Sequence, residues 1–163
     1  DVDNGICWMP EKPYSAGSWG YVGGEAYRAG SLPAVEINIL GTGIDPMYQT
    51  QRRGIEEFRA DVPDGKYAVY LHWAELVKPD ARSLVYNLGR DAGYDKSSDR
   101  KFSVAVNGSI VLDSVDVMSE AGPARPYVVK TDVNVSGGCG ITVAFGRIKG
   151  ETMLSAIRII KLD

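Results

Sequence analysis

Ten residues, Asp45-Pro46-Met47-Tyr48-Gln49-Thr50-Gln51-Arg52-Arg53-Gly54, gather two arginines, two glutamines, a threonine and a tyrosine. Planar amides and guanidinium forks donate and accept hydrogen bonds in fixed directions, and an aromatic ring offers an apolar face. Together they suit a sugar, whose hydroxyls both give and take hydrogen bonds and whose ring presents C–H groups. The same ten residues also fit a half-exposed edge strand whose charged outer positions discourage edge pairing. Both readings stand at this point.

A second concentration lies upstream. Trp8, Tyr14, Trp19, Tyr21 and Tyr27 crowd a stretch rich in Gly, Ser and Pro. Aromatics in glycine-rich loops either stack on a ligand or fold back over the core. Trp8, followed by Pro10, is expected to plug the core. Trp19 and Tyr21, inside Gly17-Ser18-Trp19-Gly20-Tyr21-Val22-Gly23-Gly24, are expected to be exposed, because flanking glycines let a ligand approach closely.

Covalent and metal chemistry find little support. The single histidine, His72, sits mid-run in an apolar segment and is expected to pack as a strand residue rather than to act as a base. That makes a Ser–His or Cys–His arrangement improbable and leaves no histidine cluster for a metal. Gly41-Thr42-Gly43 lacks the lysine and helix of a phosphate loop. Asp1-Val2-Asp3-Asn4-Gly5 lacks the later ligands of a calcium loop. A glycosidase needs only two carboxylates, but none of the 21 acidic residues is singled out as a pair.

The elements that position these residues are strands. Lys66 to Ala74 is an aromatic and aliphatic run without a helix cap, expected as a central strand covered on both faces. Phe102 to Val106, the turn Asn107-Gly108 and Ser109 to Leu112 form a hairpin signature. Val128 to Val135, Gly140 to Gly146 and Leu154 to Leu162 complete the set. Gly54 to Phe58 is expected to make at most one helical turn. No segment carries a helical stripe with both caps. With 19 glycines and turns at short intervals, the chain is expected to be all-β, a β-sandwich or jelly roll. The stretches 1–31 and 78–100 lack patterning and read as long loops.

The 163 residues suffice for one domain, spanning 1–163, with a core of its own. The net charge of −3 provides no basic stripe, which argues against nucleic acid. No apolar run is long enough to span a bilayer, so no membrane partner is expected. A start at Asp1 without methionine points to a processed chain or an excised module. Cys7 and Cys139 fit two unpaired thiols better than a bridge, since a domain of this size needs no staple.

In order along the chain, Gly17-Ser-Trp-Gly-Tyr-Val-Gly-Gly24, Tyr48-Gln-Thr-Gln-Arg52, Val62-Pro-Asp-Gly-Lys-Tyr67, His72-Trp-Ala-Glu75, Asp99-Arg-Lys-Phe102, Val106-Asn-Gly108, Gly150-Glu151 and Leu154-Ser-Ala-Ile157 resemble a malectin-like domain, carbohydrate-binding module family 57. The likeness is to the form appended to large bacterial glycoside hydrolases of the β-galactosidase and β-glucuronidase type. It implies a jelly-roll lectin fold without catalytic activity or cofactor, and a pocket at the loop end built of aromatics and an acid. By position, the family's aromatic after Thr-x-Arg falls on Arg53. Its Tyr-Phe pair after Ala-Glu falls on Val77 and Lys78, its early tyrosine near Trp19 or Tyr21, and its late acid near Glu151.

The carbohydrate-binding candidates are therefore Trp19, Tyr21, Tyr48, Gln49, Arg52, Arg53, Glu75, Lys78 and Glu151. Arg52 and Glu75 are alternatively an internal strut. Arg53 and Lys78 in place of aromatics point to uronic-acid sugars if both enter the pocket. The expected partners are an oligo- or polysaccharide and the catalytic domain of a parent enzyme, in a secreted, periplasmic or cell-surface setting. The alternative is a structural accessory domain with no ligand of its own. A small polysaccharide-cleaving enzyme is the third reading.

Overall fold

The structure is a computed structural model that describes residues 5–28, 38–76 and 100–162. Lys78, Val77 and the 81–98 insertion lie outside the described residues. Among the described residues nine strands form two antiparallel sheets. The larger sheet orders β1 (Trp19–Arg28), β2 (Thr50–Ala60), β7 (Ile141–Lys149), β4 (Lys101–Val106) and β5 (Ser109–Val115), with β8 (Met153–Leu154) also paired to β2. The smaller sheet orders β6 (Pro126–Val135), β3 (Gly65–Ala74) and β9 (Ala156–Leu162). Among the described residues two short helices, α1 (Asp45–Tyr48) and α2 (Val117–Ala121), interrupt the strands. The fold is an all-β, lectin-like sandwich, as the turn chemistry implied.

Strand alternation builds the core. Along β3, Tyr67, Val69, Leu71 and Trp73 turn inward and are almost fully buried. They meet Ile55 and Phe58 of β2, Phe102 and Val104 of β4, and Val143 and Phe145 of β7. The Trp73 indole N–H donates to the Met153 carbonyl at 2.7 Å, so its one polar atom is satisfied in the dry centre. The β4–β5 hairpin turns at Asn107-Gly108 with φ of 46° and 79°, the left-handed pair that this dipeptide favours. The Asn107 side chain also accepts from the Thr142 N–H at 2.8 Å, tying the turn to β7.

Several local expectations are corrected. Trp19 to Arg28, inside the stretch read as loop, is strand β1. Gly54 to Phe58 is extended in β2, not helical: between Val22 and Gly23 the β1–β2 register skips Glu56, a β-bulge that disguises the strand's alternation. β3 is not covered equally on its two faces, since Tyr70 and His72 remain half-buried. Trp8 is half-buried and packs edge-on against His72, with ring centroids 5.4 Å apart, so it is not the core plug. Cys7 and Cys139 are free and both exposed.

Pairing gathers the chemistry at one end. Arg28 of β1 faces Thr50 of β2, Lys149 of β7 faces Lys101 of β4, and Ala74 of β3 faces Pro126 of β6. The Gln51 amide donates to the Ala74 carbonyl and so joins the two sheets at this end.

Candidate functional site at the open end of the sandwich

At that end an open cleft of about 550 Å³ is lined by Gly24, Glu25, Ala26, Tyr27, Arg53, Gly54 and Glu151. Antiparallel register sets its walls. Glu25 lies directly opposite Arg53, and Tyr27 directly opposite Gln51, so Arg53 reaches Tyr27 along the diagonal. The Arg53 guanidinium carbon lies 3.3 Å from the Tyr27 ring centroid, a cation–π stack. Its Nε–H donates to Gln51 Oε1 at 3.2 Å. Its two terminal nitrogens have no hydrogen-bond partner among the described residues. Burial lowers the Arg53 pKa from its ordinary value, and the Arg100 charge adds to this, against the pull of Tyr27, Glu75 and Glu151.

The floor between these walls is bare backbone. Gly24 and Gly54 both take left-handed φ, 73° and 69°. A Cβ on Gly24 would lie 2.5 Å from the Arg53 carbonyl oxygen and 2.8 Å from the Ile55 nitrogen. Only glycine allows β1 and β2 to approach this closely. The Gly54 N–H donates to the Thr152 carbonyl at 2.8 Å, which holds the residue next to Glu151 against β2. The carboxylates of Glu25 and Glu151 are exposed and make no ion pair or hydrogen bond among the described residues. The cleft thus offers donors on one planar group, acceptors on two carboxylates, and a backbone floor.

The expected site residues divide into three groups. Arg53 and Glu151 line the cleft. Gln49, Arg52, Tyr48 and Glu75 stand at the same end but are engaged internally. Tyr48 is buried and its hydroxyl shares a 3.0 Å hydrogen bond with His72 Nδ1. Burial pushes its phenol up to about 12, so it is neutral at ordinary pH. Gln49 is buried at the end of α1, where its N–H donates to the Asp45 carbonyl at 3.0 Å. Arg52 and Glu75 do not pair with each other. Arg52 pairs with Glu11 and Glu75 pairs with Arg100, so the expected strut between the two is not formed and each is engaged by a different partner.

Trp19 and Tyr21 are not exposed stacking groups. Trp19 pairs with Ala60 at the far end of β1 from Tyr27; it is half-buried and stacks on Phe58 at 6.2 Å between centroids. Lys12 Nζ covers its ring at 4.5 Å. Tyr21 is half-buried under the Arg52 guanidinium, 3.5 Å from the ring centroid. Lys78 lies outside the described residues. No tryptophan lines the cleft.

Sequence reasoning missed Glu25 and the Gly24–Gly54 floor, and it saw Gln51 only as one of the planar amides of residues 45–54, not as a residue of the site. Tyr27 was visible only as one of a crowd of aromatics. The two glycines carried a signal, since an isolated Gly in a strand marks a bulge or a close backbone approach. Among the described residues no group of three or more His, Cys, Asp or Glu side chains could hold a metal.

Comparison with known proteins gives the arrangement a relationship. Over its full length the chain superposes on Bacteroides uniformis beta-glucuronidase 2 with a TM-score of 0.79 and 24% identity, covering 16% of that chain. A second structure of a Bacteroides uniformis beta-glucuronidase matches with a TM-score of 0.78 and 25% identity, over 99% of this chain and 16% of that one. The extracellular domain of ANXUR2 from Arabidopsis thaliana matches with a TM-score of 0.62 and 16% identity, over 91% and 42%. No curated protein matches the chain. The chain therefore spans about one-sixth of the beta-glucuronidases that share its fold. A family model described as Malectin domain matches residues 2–156, so the chain belongs to the malectin domain family, a family of carbohydrate-binding type.

Proposed function

We propose that this chain is a non-catalytic carbohydrate-binding module of family 57, attached to a glycoside hydrolase and directing it to glycan outside the cytoplasm. The observation that carries the reading is the cleft, where a guanidinium edge and two carboxylates without partners among the described residues meet over a glycine floor. A sugar hydroxyl accepts from Arg53 and donates to Glu151 or Glu25 at the same time. A vicinal pair of hydroxyls would satisfy both kinds of group at once. The kinship to a fold carried by beta-glucuronidases supports a catalytic domain as the covalent partner.

Among the described residues lining the cleft, Glu25 and Glu151 outnumber the one cation, Arg53, which favours a neutral saccharide. An acidic sugar is the second reading, supported by the two terminal nitrogens of Arg53, which have no partner among the described residues and could grip a carboxylate. The structural-accessory alternative draws support from exposed Ile110, Val128 and Ile148, which would suit packing on another domain.

A glycan array on the isolated domain, followed by calorimetric titration of the best neutral and uronic-acid oligosaccharides, tests the reading. Binding that falls at least about tenfold in both Arg53→Ala and Glu151→Gln supports the cleft, a loss equal to about one charge-assisted hydrogen bond. No binding on the array, or binding indifferent to both substitutions, favours the accessory role.

A further inference from the structure

We propose that Gln51 is the positioning residue of the cleft: its buried amide clamps the Arg53 guanidinium in the orientation that a ligand meets. The inference rests on the saccharide reading for its binding arm and on geometry alone for its structural arm. Gln51 is 3% exposed, although glutamine is a surface residue by habit. Burying a primary amide is costly unless both of its ends are satisfied. Here both are. The Nε2 group donates to the Ala74 carbonyl, and Oε1 accepts from Arg53 Nε at 3.2 Å.

That division of labour leaves no choice of amide orientation. Flipping the amide would set NH₂ against the Arg53 N–H and oxygen against the Ala74 carbonyl, so two favourable contacts would become two repulsive ones. The carbonyl is therefore held toward Arg53 by a contact to the opposite sheet. Two constraints then act on the guanidinium. The Tyr27 ring at 3.3 Å fixes its plane, and the Gln51 carbonyl fixes its rotation within that plane. The Nε edge is consumed, and the two terminal nitrogens are left for the cleft. A flexible arginine loses much rotamer freedom when it binds; one already held in place loses little. Gln51 touches no ligand in this scheme and acts only through Arg53.

The experiment uses the folded chain, with Gln51→Met to remove both amide functions at similar volume and Gln51→Glu to keep an acceptor for Arg53. Nitrogen-edited NMR of the Arg53 Nε–H reads positioning directly. In the unsubstituted chain the signal should exchange slowly with water and carry a ring-current shift from Tyr27. In Gln51→Met the exchange should quicken at least tenfold and the shift collapse, whereas Gln51→Glu should keep slow exchange, because its carboxylate still accepts from Nε, but lose part of the shift, because its other oxygen faces the Ala74 carbonyl and no longer anchors the clamp.

Neutral galacto-oligosaccharides and galacturonic acid oligomers serve as binding probes. Gln51→Met should weaken the bound probe about tenfold, and Arg53→Ala added to it should cost little more. If Gln51→Met fails to fold, slow exchange kept in Gln51→Glu together with a reduced Tyr27 ring-current shift carries the test, and an unchanged shift in that variant overturns the clamp. An Arg53 Nε–H signal that is fast-exchanging in the unsubstituted chain, or unchanged by Gln51→Met, overturns the proposal even if Arg53→Ala abolishes binding. Binding indifferent to Arg53→Ala overturns the saccharide site instead and leaves the NMR result to decide the clamp.

Discussion

Arg52 and Glu11, 41 residues apart in sequence, form a two-pronged ion pair, with Nε to Oε2 at 3.0 Å and Nη2 to Oε1 at 2.6 Å. Arg52 Nη1 also donates to the Gly24 carbonyl at 2.9 Å, and the guanidinium plane lies on Tyr21. One side chain thus ties the N-terminal segment, the bend of β1 and the start of β2 together. Its pKa is raised despite burial, because Glu11 and Tyr21 outweigh the lost hydration. Arg53, the next residue, alternates away from this strut and into the cleft. Neighbouring arginines therefore divide between holding the site and forming it.

The strut predicts an asymmetry. Arg52→Ala should destabilise the fold by about 2–3 kcal/mol, since it removes several charge-assisted hydrogen bonds and leaves the Gly24 carbonyl without this donor. Glu11→Gln should cost less than about 1 kcal/mol, because that carboxylate is 45% exposed and water can replace the lost attraction. Urea midpoints of the two variants check this. Equal losses would mean that the pair matters more than the Arg52 contacts to the backbone.

Trp19→Ala should act on stability rather than on binding. Trp19 stacks on Phe58 and packs against the main core, at the opposite end of β1 from the cleft. Removing a half-buried indole should cost about 2 kcal/mol, below the cost for a fully buried one. Thermal unfolding combined with titration of the array-selected glycan measures both effects. Binding lost in a Trp19→Ala variant that remains folded would place the site at the far end of β1.

His72 sets a pH dependence. Its imidazole is held down at about 4 by burial, and next by the positive charge of Arg158 on β9. Tyr48 caps Nδ1 and Trp8 covers the ring edge-on. In the unfolded chain the group titrates near about 6.5. Between those values the unfolded state binds more protons, so stability should fall as pH drops from about 6.5 to about 4 and this contribution should level off below. His72→Gln, which can still accept from Tyr48 but does not titrate, should flatten that part of the curve. Denaturant midpoints at intervals across the window provide the check, and an unchanged slope would assign the pH effect to other groups.

The legible parts of the sequence were those where one local signal sufficed. The β4–β5 hairpin announces itself through Asn107-Gly108, and β3 through its unbroken run from Tyr67 to Ala74. β1 was hidden because Gly20, Gly23 and Gly24 break the alternation that marks a strand, and β2 because the extra residue Glu56 shifts its phase. Arg53 was visible as a candidate, but its seat on Tyr27 depends on register across that bulge. The Arg52–Glu11 pair was hidden because a partner 41 residues away leaves no local trace. Reading Trp19 as exposed followed from treating glycine-rich sequence as loop. In this chain the glycines belong to a bent strand that turns its aromatics inward.

The last prediction concerns ligand charge. Two cations in the pocket, Arg53 and Lys78, were the reason to expect uronic acids; Lys78 lies outside the described residues. The described cleft sets Arg53 against Glu25 and Glu151. A ligand carboxylate would gain a guanidinium partner but face two like charges within the same cleft, and like charges placed together cost free energy unless a proton is taken up. A neutral sugar meets no such opposition, because its hydroxyls donate to carboxylates as readily as they accept from arginine. Neutral galactosides should therefore bind as well as or better than galacturonic or glucuronic oligomers. Their affinity should change little with salt, whereas charge-driven binding is screened beyond about 8–10 Å at physiological ionic strength. Glu151→Gln should narrow the gap by removing one opposing charge and should improve any acidic ligand. Titrations of both ligand classes at low and high salt, with and without Glu151→Gln, measure each term. Tighter binding of the uronic oligomers in the unsubstituted chain, weakened by salt and lost in Arg53→Ala, would reverse the charge assignment and make Arg53 a carboxylate receptor.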